Sequence, residues 1–169
     1  MSNPIYENFL RQADQHFDKI ATAHTKSFQC KQGCHACCEP QLTVLKLEAN
    51  RIVAYLKDHP EIRKQIELIE QTNPHNGTRC AMLNAEGKCS IYPVRPFICR
   101  SHGAPIAIAR EEYYQIDVCP LNFTENPIEE LGPEDFFILD DWNEQLLDCA
   151  ESEERILLTL SGLFSAKSR

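Results

Sequence analysis

Long hydrophobic runs are missing from this sequence of 169 residues. No stretch approaches the roughly 20 apolar residues that a membrane-spanning helix needs. The chain begins Met-Ser-Asn-Pro-Ile-Tyr-Glu, which has neither the basic region nor the apolar region of a secretory signal peptide. We therefore predict a soluble cytoplasmic protein that does not contact a membrane.

An excess of positive charge is missing too. The 17 lysines and arginines are outnumbered by 25 aspartates and glutamates, which gives a formal net charge of −8 at pH 7. General nucleic-acid binding requires a basic surface, so we expect no nucleic-acid partner. Many of the acids lie in residues 125–155, and we interpret that stretch as a solvated acidic face rather than as paired catalytic carboxylates.

Recognisable catalytic motifs are also absent. The sequence has no glycine-rich phosphate loop, no Gly-x-Ser-x-Gly elbow and no His-Glu-x-x-His zinc-protease helix. It therefore predicts no specific reaction. Whether the protein is an enzyme stays open, and an iron–sulfur-dependent accessory or oxidoreductase role is a hypothesis.

Cysteine, in contrast, is abundant: the chain has nine. A reducing cytosol keeps thiols free, so the clustering of these residues predicts bound metal, with packed thiols and disulfides as the alternatives. A thiolate site also needs a backbone that turns tightly, and Gly33 tolerates the positive φ of such a turn. The eight candidate metal ligands are Cys30, Cys34, Cys37, Cys38, Cys80, Cys89, Cys99 and Cys119.

Individual cysteines differ in what their surroundings predict. The side chains of the adjacent Cys37 and Cys38 should diverge in an extended chain, so the two would serve different metals or leave one thiol free. For Cys80 and Cys119, packing without metal is the alternative to ligation. Cys149 lies in an apolar helical stripe and is interpreted as a small buried hydrophobic residue.

Two arginines and two histidines lie beside the cysteines in sequence. Arg95 and Arg100 are candidates to surround the metal ligands and donate hydrogen bonds to sulfur, with an ion pair to one of the many acids as the alternative. His102 is the first candidate among the histidines for a ligand or proton carrier, and His35 is the second. Each is still more typical of a neighbour than of a ligand, since eight thiols already fill two tetrahedral sites.

Apolar periodicity predicts a single domain of residues 1–169 with a mainly α, α+β fold. Helices should pack around a cysteine-rich metal site with small antiparallel β-hairpins. The metal-binding core is expected at about 28–121, and a C-terminal helical region at about 134–164.

Local signals predict the individual elements. Helices are expected over 4–27, over 45–57 and from Pro60 to about residue 73, with one helical turn at Pro96–Arg100. Hairpins are expected over 78–92, which would bring Cys80 near Cys89, and over 106–118. The first helix should be capped by Asn3 and carry an apolar stripe of Ile5, Phe9, Ala13, Phe17, Ile20 and His24.

The combined cysteine pattern resembles the YkgJ family of cysteine-cluster proteins. The shared segments are Cys-x3-Cys-x2-Cys-Cys from Cys30, then Gly-Lys-Cys-Ser-Ile-Tyr-Pro-Val-Arg-Pro-Phe-Ile-Cys-Arg ending at Arg100, then Cys119-Pro120. The resemblance covers about residues 28–121. It implies zinc or iron chelation by the eight cysteines that precede Cys149, and it implies no agreed reaction.

The sequence leaves the identity of the metal open. All-sulfur ligation suits Zn²⁺ and iron–sulfur clusters alike. Zinc would divide the eight thiols into two Cys₄ sites or one cluster with bridging sulfurs, whereas the dense first loop is typical of iron–sulfur binding. Three hypotheses follow: a redox-active metalloprotein with a role in electron transfer, sensing or accessory modification; a zinc-stapled module that binds a protein partner; and a metal delivery or storage protein.

Overall fold

The computed structural model describes residues 3–30, 33–73, 76–125 and 128–165. The predicted mainly helical α+β fold is confirmed. In chain order the elements are α1 (Pro4–Ala23), β1 (Thr43–Leu45), α2 (Lys46–Asp58), α3 (Pro60–Thr72), α4 (Phe97–Ser101), β2 (Ile106–Ala109), β3 (Tyr114–Asp117), β4 (Phe137–Ile138), α5 (Leu139–Asp148), β5 (Arg155–Leu157) and α6 (Leu160–Ser165). Short 3₁₀ turns occur at Tyr92–Val94, Ile128–Glu130 and Pro133–Asp135. In these described ranges, no helix is both long and apolar enough to cross a membrane.

Contacts divide the chain into two compact units. The first unit comprises Met1–Lys31 and Phe97–Cys149, and the second comprises Gln32–Pro96 and Ala150–Arg169. Each unit is therefore built from two stretches that are separated in sequence. Chain length alone predicts a single domain, and the three points where the chain changes unit carry no glycine- or serine-rich linker that would mark a boundary.

Helix α1 begins as predicted and buries a shifted face. The Asn3 side chain accepts hydrogen bonds from the backbone N–H groups of Ile5 and Tyr6, at 3.0 and 3.1 Å. The helix ends at Ala23, earlier than predicted. The predicted stripe is wrong at Ile5, whose side chain is 64% exposed. Successive residues of a helix are rotated by about 100° around its axis, and this rotation places Ile5 roughly 80° from the centre of the buried face. That face consists of Tyr6, Phe9, Leu10, Ala13 and Ile20.

Aromatic side chains form the core of the first unit. The ring of Phe97 lies 5.1 Å from that of Phe9 in an edge-to-face arrangement and 5.8 Å from the Trp142 ring, stacked on it. The Phe137 ring lies 5.2 Å from Trp142. Such pairs stabilise a core beyond the area they bury. Because Phe97 begins α4, this packing fixes the helical turn that carries Cys99, as predicted.

A three-stranded sheet in the order β3-β2-β4 completes the first unit. Strand β2 pairs antiparallel with β3, from Ile106 opposite Asp117 to Ala109 opposite Tyr114, and parallel with β4. The predicted hairpin over 106–118 is therefore confirmed. Strand β3 lies at the edge of the sheet, and all four of its residues are exposed.

The second unit packs α2, α3 and α6 around the two-stranded sheet of β1 and β5. Val44 of β1 pairs with Ile156 of β5, and both are buried against α2 residues such as Ile52. The predicted break between α2 and α3 falls at His59. Helix α3 ends at Thr72 and is followed by the C-cap residue Asn73, whose φ of 43° is left-handed. Residues 74 and 75 of the predicted stop lie outside the described residues.

The hairpin predicted over 78–92 is reduced to one antiparallel bridge between Leu83 and Cys89. The turn itself forms as expected, because Asn84 Oδ1 accepts hydrogen bonds from the backbone N–H groups of Glu86 and Lys88 at 3.1 and 2.8 Å. The ladder is short because the chain enters the 3₁₀ turn at Tyr92–Val94 just after Cys89.

The C-terminal helical region predicted at 134–164 is wrong over part of its length. Two helices, α5 and α6, are present, but β4 precedes them and β5 separates them. The segment of β5 is extended because it pairs with β1, from Thr43 opposite Leu157 to Leu45 opposite Arg155. Pairing with a distant strand outweighs the local preference that the apolar spacing indicated.

Gly162 allows α6 to approach β5 closely. A Cβ atom at this position would lie 2.3 Å from the backbone carbonyl oxygen of Leu157. We predict that Gly162→Ala lowers the free energy of unfolding by about 1–3 kcal/mol, because backbone has to move to make room. Urea denaturation would measure the effect. The control is Ser165→Ala in the same helix, which should change stability by less than about 0.5 kcal/mol; equal effects would contradict the prediction.

Candidate metal centre

All nine cysteines lie in the described ranges as thiols outside disulfides, and they are divided between the two units. The first unit holds Cys30, Cys99, Cys119 and Cys149, and the second holds Cys34, Cys37, Cys38, Cys80 and Cys89. Cys149 is buried at the end of α5, where its thiol donates to the Gln145 carbonyl oxygen and burial raises its pKa. This agrees with its interpretation as a small buried residue.

In the first unit, the sulfur of Cys30 lies against Asn122 and Gly103. Asn122 Nδ2 donates a hydrogen bond to Cys30 Sγ at 3.2 Å and another to the Gly103 carbonyl oxygen at 2.6 Å. A Cβ atom at Gly103 would lie 2.6 Å from the Cys30 sulfur, so only glycine leaves room for it there. Asn122 also ties Cys119 to this group, because its backbone N–H donates to the Cys119 carbonyl oxygen at 2.8 Å.

Sequence reasoning missed Asn122. Asparagine side chains are common at turns, so this one carries no signal of its own. The one available hint was its position three residues after Cys119, where a turn can direct the side chain back towards the cysteine. What makes it part of the candidate site is its contact with Cys30, which is 92 positions away in the chain.

Helix α4 carries Cys99 and one of the predicted neighbours, Arg100, and a second, His102, follows directly after the helix. Arg100 forms an ion pair with Asp14, which is the alternative that the sequence left open for it. The His102 ring lies beyond the helix, with Nδ1 2.6 Å from the Ile98 carbonyl oxygen. Because a carbonyl oxygen only accepts, Nδ1 carries the hydrogen, and Nε2 holds the lone pair of the neutral ring.

In the second unit, the thiol of Cys37 is influenced most by the adjacent Cys38. A hydrogen bond with Cys38 is the largest of the causes that raise the pKa of Cys37, followed by burial and by the charge of Cys38. The chain is not extended at this pair, as the predicted divergence of the two side chains assumed, because it turns here: the Cys38 N–H donates to the His35 carbonyl oxygen at 3.0 Å. The positive charge of Arg95 acts in the opposite direction on the pKa of Cys37.

Cys80 lies in the hydrophobic core of the same unit, and Cys89 is partly buried against that core. Burial raises the pKa of both thiols, and the neighbouring Cys80 raises that of Cys89 further, whereas Arg95 lowers it. The backbone connects this pair to the first loop, because the Cys80 N–H donates to the Cys38 carbonyl oxygen at 3.1 Å. The short bridge at Leu83 thus places Cys89 near Cys80, as the predicted hairpin would have done.

Cys34 lies in the exposed part of the first loop. Gly33 before it has a φ of +89°, which glycine adopts without strain. His35 Nδ1 lies 3.2 Å from the Gly33 carbonyl oxygen, and the ring lies so close to Gly87 that a Cβ atom there would be 2.8 Å from it. The Arg95 guanidinium stacks on the Tyr92 ring, 3.7 Å from its centre.

The donor set fits the chemistry of zinc and of iron–sulfur clusters. Zinc binds cysteine sulfur in a tetrahedron at Zn–S distances of about 2.3 Å, and iron–sulfur clusters are likewise held by cysteine thiolates. Within the ranges that the structure describes, no group of three or more Cys, His, Asp or Glu side chains is already gathered around one metal position. Binding would therefore have to bring several thiols together around the metal.

Comparison with known families gives one match. The model of the family CxxCxxCC, described as "Putative zinc- or iron-chelating domain", matches residues 29–120. That range contains the eight cysteines of the predicted site and ends before Cys149. No curated protein and no solved structure matches the chain.

Proposed function

Because the chain belongs to the CxxCxxCC family of zinc- or iron-chelating domains, we propose that it binds zinc or an iron–sulfur cluster through cysteine thiolates. The proposed ligands in the first unit are Cys30, Cys99 and Cys119. Those in the second unit are Cys34, Cys37, Cys38, Cys80 and Cys89. The observation that carries this proposal is the family match over residues 29–120, a range that contains all eight of these cysteines.

The chain's own residues would prepare these sulfurs for a cation. Cys37, Cys80 and Cys89 have raised pKa values and are neutral at pH 7, so each has to lose a proton to become a ligand. Arg95 favours the thiolate form of Cys37 and Cys89, because its positive charge lowers the pKa of both thiols. When bound, zinc would supply a structural site with no open coordination position, and an iron–sulfur cluster would supply one-electron chemistry.

Purification without oxygen, followed by elemental analysis of iron and zinc, tests the proposal. We expect stoichiometric metal, with brown colour and absorption near ~400 nm for an iron–sulfur cluster and no colour for zinc. Cys38→Ala should lose most of the metal, whereas the matched variant Cys149→Ala should keep it. Wild-type protein without bound zinc or iron would contradict the proposal, and so would equal metal content in the two variants.

A structural role is the second candidate function. Cys80 belongs to the buried core of the second unit, and Cys38 and Cys89 pack against it, so a metal held by these sulfurs would also hold the core together. If so, the metal should be retained until the protein unfolds. The alternative role is metal delivery, which the exposed Cys30 and Cys34 would favour. Competition with a chelator of known affinity distinguishes the two roles. Fast release of the metal before unfolding supports delivery, and retention of the metal supports a structural role.

A further inference from the structure

We infer that Asn122 is a positioning residue of the metal centre, whose side-chain amide donates a hydrogen bond to the Cys30 sulfur and holds that thiolate in place for a metal. The inference rests on the proposed function and extends it to a residue outside the cysteine pattern. It concerns the first unit alone, to which Cys30, Gly103 and Asn122 all belong.

The surroundings of Asn122 fix the orientation of its amide group. The residue is 3% exposed, so its polar atoms depend on protein partners. The Gln29 backbone N–H donates to Oδ1 at 2.8 Å, and Nδ2 donates to the Gly103 carbonyl oxygen at 2.6 Å. A backbone N–H only donates and a carbonyl oxygen only accepts, so the amide cannot be reversed without losing both bonds.

With the amide fixed in this way, the second hydrogen of Nδ2 is directed at sulfur. The distance from Nδ2 to Cys30 Sγ is 3.2 Å. A thiol is a weak acceptor, whereas a thiolate is a charged one, and hydrogen bonds to charged groups are roughly twice as strong as neutral ones. The bond therefore strengthens when Cys30 is deprotonated, which is the form that binds metal.

Gly103 forms the other side of the position that the sulfur occupies. Its φ of +102° and the space left by its missing side chain let the Cys30 sulfur lie against the backbone. Gly103 and Asn122 are themselves connected through the carbonyl oxygen of the glycine. The two residues thus form a preformed position for one thiolate, and hydrogen bonds of this kind to ligand sulfurs tune metal sites.

A double-mutant cycle tests this role with Zn²⁺ as the probe. Chelator competition would measure the Zn²⁺ affinity of the wild type, Asn122→Asp, Cys30→Ala and the double variant. Asn122→Asp keeps the acceptor for Gln29 and replaces the donor to sulfur by a carboxylate oxygen. We expect it to lower the affinity about 10- to 100-fold in the wild type and to cause no further loss once Cys30 is alanine.

Three further measurements distinguish the positioning role of Asn122 from a general loss of protein stability. Asn143→Asp, which adds the same charge on an exposed residue of α5, should leave the affinity unchanged. In Co²⁺-loaded protein, Asn122→Asp should shift the sulfur-to-metal charge-transfer band, which a loss of stability alone would not move. If Asn122→Asp does not fold, Asn122→Ala removes the donor without adding charge and should give the same pattern.

The outcomes are distinct. A wild type that takes up neither zinc nor iron ends the proposed function and this inference together. A wild type that binds metal, with unchanged affinity in the Asn122 variants, overturns the inference alone. An equal decrease in Zn²⁺ affinity from Asn122→Asp with and without Cys30 would also overturn the inference, because the effect would then not depend on that sulfur. If the bound group is an iron–sulfur cluster, the same four proteins are compared by reduction potential, which should change only while Cys30 is present.

Discussion

Lowering the pH from 8 to 7 is expected to weaken zinc binding by at least about a thousandfold. Three of the proposed ligands, Cys37, Cys80 and Cys89, have pKa values raised above the ordinary thiol value. All three are therefore protonated at these pH values, and each releases a proton when it becomes a ligand. Each released proton changes the binding constant tenfold per pH unit, which gives the expected factor.

Chelator competition at several pH values, corrected for the protonation of the chelator, would measure this dependence. Cys80→Ala removes one of the three thiols, so its affinity should vary about tenfold less per pH unit than that of the wild type. Cys149→Ala serves as the matched control, because Cys149 is a buried thiol outside the proposed ligand set. A wild-type affinity that changes less than about tenfold per pH unit would contradict the ligation of these thiols.

The same raised pKa values give the stability of the metal-free protein the opposite dependence on pH. A thiol whose pKa is higher in the folded state than in the unfolded chain stabilises the fold below its unfolded value of 9.0. This contribution is lost as the pH rises above that value. Metal-free protein should therefore lose stability in alkaline solution while zinc affinity is still increasing, and urea denaturation at pH 8 and pH 10 would measure the loss.

Phe97→Ala is expected to lower the free energy of unfolding by about 3–5 kcal/mol, one of the larger effects of a single substitution. Phe97 is 2% exposed and contacts the rings of Phe9, Phe137 and Trp142. Removing its ring leaves a cavity in the middle of that cluster, and the surrounding rings belong to several elements that cannot all move inwards together.

Urea denaturation of the metal-free protein would measure this effect without interference from metal binding. Phe97→Leu keeps much of the apolar volume and should cost less than the alanine variant. Tyr113→Ala removes an aromatic ring that is 65% exposed and should change stability by less than about 0.5 kcal/mol. Similar losses for Phe97→Ala and Tyr113→Ala would contradict the assignment of Phe97 to the core.

The elements that the sequence predicted well are those with local causes. Asn3 and Pro4 mark the start of α1 because a cap and a first-turn proline act within a few residues. Pro60 marks the start of α3, and the proline-bounded stretch before Cys99 marks α4, for the same kind of reason. The resemblance carried by the cysteine spacing agrees with the family match over residues 29–120.

What the sequence did not predict depends on distant partners. Strand β5 lies in a stretch with helical apolar spacing, and it is extended because β1 provides its hydrogen bonds. The position of Cys80 beside Cys38 depends on the backbone hydrogen bond from the Cys80 N–H to the Cys38 carbonyl oxygen, which joins distant parts of the sequence. The role inferred for Asn122 depends on a contact across most of the chain. In each case the deciding energy comes from tertiary structure, which single-residue preferences do not contain.

The interleaving of the two units constrains the order in which the protein can be completed during translation. Residues 43–45 leave the ribosome more than a hundred residues before their pairing partners at 155–157. The loop with Cys34, Cys37 and Cys38 emerges before most of the second unit, and the core beside it stays incomplete until residues 156–163 have been made. Pairing over such separations is slow, so these thiols spend the period of synthesis without their final packing. The newly made polypeptide would then meet cellular zinc, iron or oxidants before the second unit has closed.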